Sequence, residues 1–199
     1  VAEPTVYQYR LRTADNRWLA EVFLRSDGLF TVVSDYGNYG YWWGNPGRPV
    51  REFVAALADR DESDYLCGKL GSRDWWDGTS TLKAIREHII EYRRDGSWTK
   101  ERAAEEWQTL SEALTTWHDV DARNATEMDE LQFHNWFRET KIDDASEFAA
   151  YDYEPQLRAF ASEVMPVLAT AIREQLKAEA AVADATASLA EWEHEGGSL

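Results

Sequence analysis

Cysteine occurs once in the 199 residues, at Cys67, so no disulfide forms within the chain and a disulfide-stapled scaffold is excluded. Cys67 itself reads as a small buried residue in the run Tyr65-Leu66-Cys67-Gly68-Lys69-Leu70. No apolar stretch approaches the ~18 residues of a membrane span. The opening Val1-Ala2-Glu3-Pro4-Thr5 has neither a basic nor an apolar segment, so no signal peptide is expected. Eleven glycines and five prolines are too few for a collagen-like or low-complexity chain. The four histidines, His88, His118, His134 and His194, are scattered, with no HExxH pair and no Cys/His cluster, so zinc and other cofactors are not expected.

Positive charge is also scarce. Twenty-one Lys and Arg face 37 Asp and Glu, for a net charge of −16. The excess is one-sided: residues 1–50 are neutral, 51–100 carry −1, 101–150 carry −9 and 151–199 carry −6. A field concentrated on one half repels nucleic-acid phosphate, which disfavours direct DNA or RNA binding there, and attracts basic protein surfaces. For any single acidic cluster, solvated helix faces are the commoner explanation.

What remains is apolar and aromatic: 44% of the residues are hydrophobic, and ten are tryptophan. That suffices for one domain or two small coupled ones. Thr5–Arg12, Arg17–Leu24, Leu29–Ser34 and Tyr39–Trp43 read as strands separated by Ala14-Asp15-Asn16, Ser26-Asp27-Gly28 and Asp35-Tyr36-Gly37-Asn38 turns, which predicts a four-stranded antiparallel meander. After Gly44-Asn45-Pro46-Gly47 the period becomes helical. Val50, Phe53, Val54 and Leu57 mark one helix, and Tyr65, Leu66 and Leu70 a second. Leu82, Ile85, Ile89 and Tyr92 mark a third, capped by Thr79 or Ser80. Thr99 caps a fourth, with Ala103, Trp107, Leu110, Leu114 and Trp117 as its inward stripe and Glu101, Glu105, Glu106 and Glu112 mostly off it. A loop covers 118–124, and a helix over 126–140 turns Leu131, Trp136 and Phe137 inward. An acidic connection follows, pinned by Phe148, Tyr151 and Tyr153. A last helix, from Pro155 to about Trp192, is kinked or divided by Pro166. The fold class is therefore α+β. A sheet-plus-helices region spans 1–98, an acidic helical region 99–192 and a disordered tail 193–199.

Reactive constellations have weak support. Ser80-Thr81-Leu82-Lys83 matches SxxK without its KTG or SDN companions. Glu139-Thr140-Lys141 spells the ExK of metal-dependent nucleases, but at a helix end in an acidic segment. Asp61/Asp64, Asp74/Asp77, Asp119/Asp121 and Asp143/Asp144 are acidic pairs outside the EF-hand pattern. An enzyme would need a site assembled from dispersed residues such as Asp35, Tyr36, Asp77 and His88.

The aromatic doublets Trp42-Trp43 and Trp75-Trp76 place neighbouring rings on opposite sides of an extended backbone, so one of each pair is a candidate surface ring. Tyr36, Tyr39, Trp42 and Trp75 are the aromatic partner-binding candidates, because Trp and Tyr are enriched at binding hot spots; the alternative is that they fill the core. Residues Val32-Val33-Ser34-Asp35-Tyr36-Gly37-Asn38-Tyr39-Gly40-Tyr41-Trp42-Trp43-Gly44 resemble a strand motif, S-D-[WY]-G-[ND]-Y-x-Y-x-W, of an uncharacterised group of tailed-phage and prophage proteins. The resemblance continues through Arg51–Val54, Asp64–Leu70, Asp77-Gly78, Leu82–Ile89 and the Thr99–Trp107 helix, covers about residues 5–120 and fades in the acidic half. It implies a phage accessory protein acting in the bacterial host cytoplasm and carries over no catalytic residue.

Charge and context converge on a non-enzymatic protein that binds and inhibits a host nucleic-acid-handling defence complex of the CRISPR or restriction type. Glu101, Glu105, Glu106, Asp143 and Asp144 are the acidic docking candidates. The second reading is a self-assembling scaffold whose C-terminal helix pairs between copies, and the third is the enzyme with a dispersed site.

Overall fold

The computed structural model describes residues 3–59, 62–115 and 124–196, with side chains described up to residue 189. Four strands, β1 (Val6–Arg12), β2 (Trp18–Arg25), β3 (Leu29–Ser34) and β4 (Gly37–Trp42), form an antiparallel sheet in sequence order. Helices α1 (Val50–Ala56) and α2 (Ser63–Leu70) follow. Next come a two-residue strand β5 (Trp75–Trp76) and the helices α3 (Gly78–Arg94), α4 (Lys100–Leu114) and α5 (Glu130–Glu139). A 3-10 turn (Ala145–Phe148) leads to strand β6 (Tyr151–Asp152), then α6 (Pro155–Ala159), a π turn (Phe160–Val164) and α7 (Met165–Gly196). The four-stranded sheet covered by helices and followed by an all-helical region is the architecture expected from the sequence.

The chain forms two compact units, Val1–Ser72 with Tyr153–Leu199, and Arg73–Asp152. These boundaries differ from a division at residue 98, for a packing reason. Leu82, Ile85 and Ile89 of α3 share a core with Leu110, Met128, Phe133 and Trp136. Leu157, Phe160, Val164, Leu168 and Ile172 share theirs with the sheet.

In the first unit, strand alternation decides which side chains enter the core. Tyr9, Leu11, Ala20, Val22, Leu24, Phe30 and Val32 point to the helix-covered face and are buried. The Asp27-Gly28 turn needs glycine: its φ is +100°, and a Cβ there would lie 1.9 Å from the Trp43 carbonyl oxygen. The Ser34–Gly37 turn is held by the Ser34 hydroxyl, which donates to the Gly37 carbonyl at 2.7 Å and accepts from Tyr36 N–H at 3.2 Å. Trp43 is buried, 5.0 Å from Tyr41, 5.3 Å from Phe53 and 6.0 Å from Phe30.

The last helical stretch is divided next to Pro166, as expected: α6 ends at Ala159, the π turn spans Phe160–Val164, and α7 has Pro166 as its second residue. The missing N–H of Pro166 leaves the Ser162 carbonyl without the usual partner, and the π turn immediately before it widens the helix there. Phe160, Ala161, Val164 and Met165 stay buried throughout. The helix continues to Gly196, beyond the expected start of a tail at 193, and residues 197–199 lie outside the described residues.

In the second unit the ends are tied together, with Trp75 paired to Asp152 and Trp76 to Tyr151. The cap of α3 is Asp77, whose carboxylate accepts from Ser80 N–H at 2.9 Å; Thr79 and Ser80 do not serve. Thr99 caps α4 as expected. α5 starts at Asp129 as a reciprocal capping box with Gln132, later than the expected residue 126, and it buries Phe133 and Trp136. Leu131 and Phe137, expected inward, are exposed. Most of the loop expected over 118–124, and Trp117, lie outside the described residues.

Candidate functional site

The acidic candidates separate into surface and interior. Glu101 and Glu105 are exposed on α4, and Asp143 and Asp144 are exposed on the loop after α5, between the buried anchors Ile142 and Ala145. Glu106 does not belong to this surface, because it is only 2% exposed. Its carboxylate accepts from the Thr140 hydroxyl at 2.7 Å and from Lys141 N–H at 3.2 Å, and lies 3.6 Å from the Arg102 guanidinium. Arg102 also donates to the Lys141 carbonyl at 2.7 Å, and Lys141 Nζ lies 3.4 Å from Glu105. A buried charge needs such paired and hydrogen-bonded partners. Glu106 and Arg102 thus stitch residues 140–141 to α4, with Lys141 beside Glu105.

The inward stripe of α4 is correspondingly rotated. Ala103, Glu106, Leu110 and Leu114 face the core, and Trp107 is exposed. A carboxylate with three partners outcompetes an indole that would have needed a cavity for its whole ring.

The aromatic candidates do not form one patch. Trp42 is 59% exposed and donates its indole N–H to the Asp27 carbonyl at 2.9 Å, while Trp43 next to it is 6% exposed. Trp75 is exposed and Trp76 half-buried, its Nε1 donating to the Met128 carbonyl at 2.8 Å. Trp42 and Trp75 belong to different units. Tyr36 and Tyr39 are half-buried and pack against the core: Tyr39 donates to the Tyr36 carbonyl at 2.7 Å and its ring centroid lies 4.9 Å from Phe160. Burial pushes the Tyr39 phenol above its ordinary range, as expected for a ring held by packing. In this chain the strand motif is therefore a turn and packing device: Ser34 and Gly37 set the turn, Trp43 is buried, and half-buried Tyr39 and Tyr41 pack against the core.

A surface that the reading of the sequence passed over is the open face of the sheet. Phe23, Val33, Val6 and Trp18 are exposed there with Trp42. The pairings Phe23 to Thr31 to Gly40 and Glu21 to Val33 to Asn38 bring these side chains onto one face. The signal was available, since Phe23 and Val33 have the opposite parity to buried Val22, Leu24 and Val32.

The residues of a dispersed enzyme site have structural occupations. Asp35 and Tyr36 lie in one unit and Asp77 and His88 in the other. Asp77 caps α3, and His88 sits in an aromatic cluster, stacked on Tyr92 at 4.1 Å with Phe148 at 5.0 Å and Trp98 at 5.4 Å. Ser80 is tied through its backbone to Asp77, and Lys83 lies 3.9 Å from Glu87. Glu139 ends α5, and Lys141 faces Glu105. Asp64 pairs with Arg158, while Asp61, Asp119 and Asp121 lie outside the described residues. Among the described residues no group of three or more His, Cys, Asp or Glu is arranged to hold a metal ion, and no helix is long and apolar enough to cross a membrane.

A model of the phage family Phage_phiTE_072 matches residues 1–174. The match extends past residue 120 through the acidic helices and into α7. No curated protein and no solved structure matches the chain.

Proposed function

From the premise that this chain belongs to that phage family, we propose that it is a non-enzymatic accessory protein that works in the host cytoplasm by binding a basic protein surface. The partner is a host complex that handles nucleic acid in defence, of the CRISPR or restriction type, whose basic channel the acidic region occupies. What supports this reading is that Glu101, Glu105, Asp143 and Asp144 are all exposed in the 73–152 unit, with Glu105 beside Lys141, two residues before Asp143. That unit holds ten Lys and Arg against nineteen Asp and Glu. Long-range attraction from such a surface raises the encounter rate with a cationic partner and repels free nucleic acid.

The test is affinity capture from nuclease-treated bacterial lysate at low and high salt, read by mass spectrometry, with the wild type beside a variant carrying Glu101, Glu105, Asp143 and Asp144 all changed to Lys. Exposed charge pairs contribute about 0.2–1 kcal/mol each. Four reversals should therefore weaken a salt-sensitive partner at least about tenfold, with the circular dichroism spectrum unchanged. Equal capture by both proteins, or capture indifferent to salt, would remove the docking mechanism.

A further inference from the structure

The last helix, α7, runs on after its contact with the core has ended. Ile172 is buried and Leu176 half-buried against the core of the first unit, but from Lys177 to Leu189 every side chain is exposed. This arm is rich in alanine, the best helix former, and extends a helix already nucleated by the packed part. Each added residue gains little, so an arm that buries nothing unwinds readily from its C-terminal side.

One contact lies across that route. Arg51 of α1 holds Glu179 with both nitrogens of its fork, at 2.8 and 2.7 Å. The Arg51 side chain is only 12% exposed, and its guanidinium lies 4.1 Å from the centre of the Tyr7 ring on β1. Six residues earlier in α7, Arg173 donates to the Ala55 carbonyl at 3.1 Å and lies 3.5 Å from Asp59. The two helices are therefore antiparallel and fastened near both ends of α1, and all of these residues belong to one compact unit. Among the described residues, Glu179 is the last of α7 with a hydrogen bond or ion pair to another element; the Thr186 and Ser188 hydroxyls donate within the helix. Unwinding as far as Ala180 breaks no such contact. The next step removes the carboxylate from a cation that is mostly buried, and a buried charge that loses its partner is costly.

We propose that the Arg51–Glu179 pair is a latch that stops the unwinding of α7. Closed, it carries stable helix about one turn beyond Leu176, the last side chain packed on the core, and shields the peptide bond between Lys177 and Ala178. Open, the helix unwinds to Leu176 and the arm from Ala178 onward becomes detachable. The latch uses none of the acidic docking residues and stands apart from partner binding.

Lys177 is the last Lys or Arg of the sequence, so trypsin reports on the latch directly. Cleavage needs unwound backbone, and its rate follows the population of the open form when reclosing is fast. The full chain is compared with Glu179→Gln, Arg51→Met, the double variant, and Asp184→Asn, which removes an exposed carboxylate further along the same helix. Mass spectrometry times the initial release of the segment that begins at Ala178, and amide hydrogen exchange of β2 and β3 follows the core. Glu179→Gln and Arg51→Met should each be cut after Lys177 at least about tenfold faster than the wild type, the scale of a lost charged hydrogen bond. The double variant should be cut no faster than the single ones, Asp184→Asn should behave like the wild type, and protection of β2 and β3 should be unchanged. Equal cleavage of Glu179→Gln and wild type, equal acceleration by Asp184→Asn, or additive effects in the double variant would each overturn the latch. Loss of protection reaching β2 and β3 in Glu179→Gln would also overturn it, since the pair would then support the core. Should Arg51→Met not fold, the contrast between Glu179→Gln and Asp184→Asn decides by itself.

Discussion

Glu105 and Glu106 are neighbours with the same side chain, and their carboxylates have opposite occupations. Glu105 reaches solvent beside Lys141, whereas Glu106 is enclosed with Thr140, Lys141 and Arg102 around it. Replacing Glu106 with Ala leaves the Lys141 N–H and the Thr140 hydroxyl without their acceptor and the Arg102 guanidinium without its ion-pair partner. Leaving buried donors unsatisfied costs about 1–3 kcal/mol or more when a charge is involved. Glu105→Ala should change stability by less than about 0.5 kcal/mol, as surface substitutions do. Urea denaturation of the two variants separates these outcomes, and equal losses would contradict the burial of Glu106.

His88 gives a pH signature at the same scale. Burial among Tyr92, Trp98 and Phe148 lowers its imidazole pKa, against the opposing pull of Glu91 and Glu106. With the folded value below the unfolded one, the unfolded state binds the proton more readily. This site therefore costs no stability above the unfolded pKa of about 6.5. The cost grows as pH falls below that value and levels off below the folded pKa. Thermal unfolding of His88→Phe between pH 7 and pH 5 should show a shallower decline than the wild type. An unchanged slope would mean that His88 is not the group responsible.

Among the elements, the α6–π–α7 segment shows how a local defect is absorbed. Proline within a regular helix costs about 3 kcal/mol. The π turn over Phe160–Val164 lies directly before Pro166, in the stretch that the missing N–H and the ring would disturb in a regular helix, and Phe160, Ala161 and Val164 are buried there. Pro166→Ala is thus expected to change stability by no more than about 1 kcal/mol, whereas Thr170→Pro, one turn on in regular helix, costs ~3 kcal/mol or more. Thr170 is exposed, and its hydroxyl donates to the Pro166 carbonyl at 2.9 Å, so Thr170→Ala is the control that separates loss of that bond from the backbone effect. Comparable effects at the two positions would show that the π turn does not relieve Pro166.

For the whole molecule the consequence of two cores is separability. Residues 73–152 interrupt the other unit in sequence, have their own buried cluster, and begin and end in the paired strands β5 and β6. The excised 73–152 segment is expected to fold with helical circular dichroism and a cooperative thermal transition. A non-cooperative melt would show that its core of Leu82, Ile85, Leu110, Phe133 and Trp136 does not suffice. Membership of a phage family spanning 1–174 includes both units, so the acidic helices belong with the sheet.

Much of this was determined by the sequence alone. Period-two runs and Asp-Gly or Tyr-Gly turns specify the meander because each interaction is between near neighbours. Helical spacing and Thr99 specify α3 and α4 for the same reason, and the tandem indoles already imply that one of Trp42 and Trp43 faces out. The net charge and its bias are sums and need no fold. Tertiary structure decided the rest. A stripe of several candidates does not say which will find partners, so Glu106 went inside and Trp107 outside only once Thr140, Lys141 and Arg102 met. Tyr39 became a packing residue through Phe160 of the π turn, more than a hundred positions away. The pairing of Trp75-Trp76 with Tyr151-Asp152, and with it the boundary between the two units, depends on contacts that no local pattern encodes.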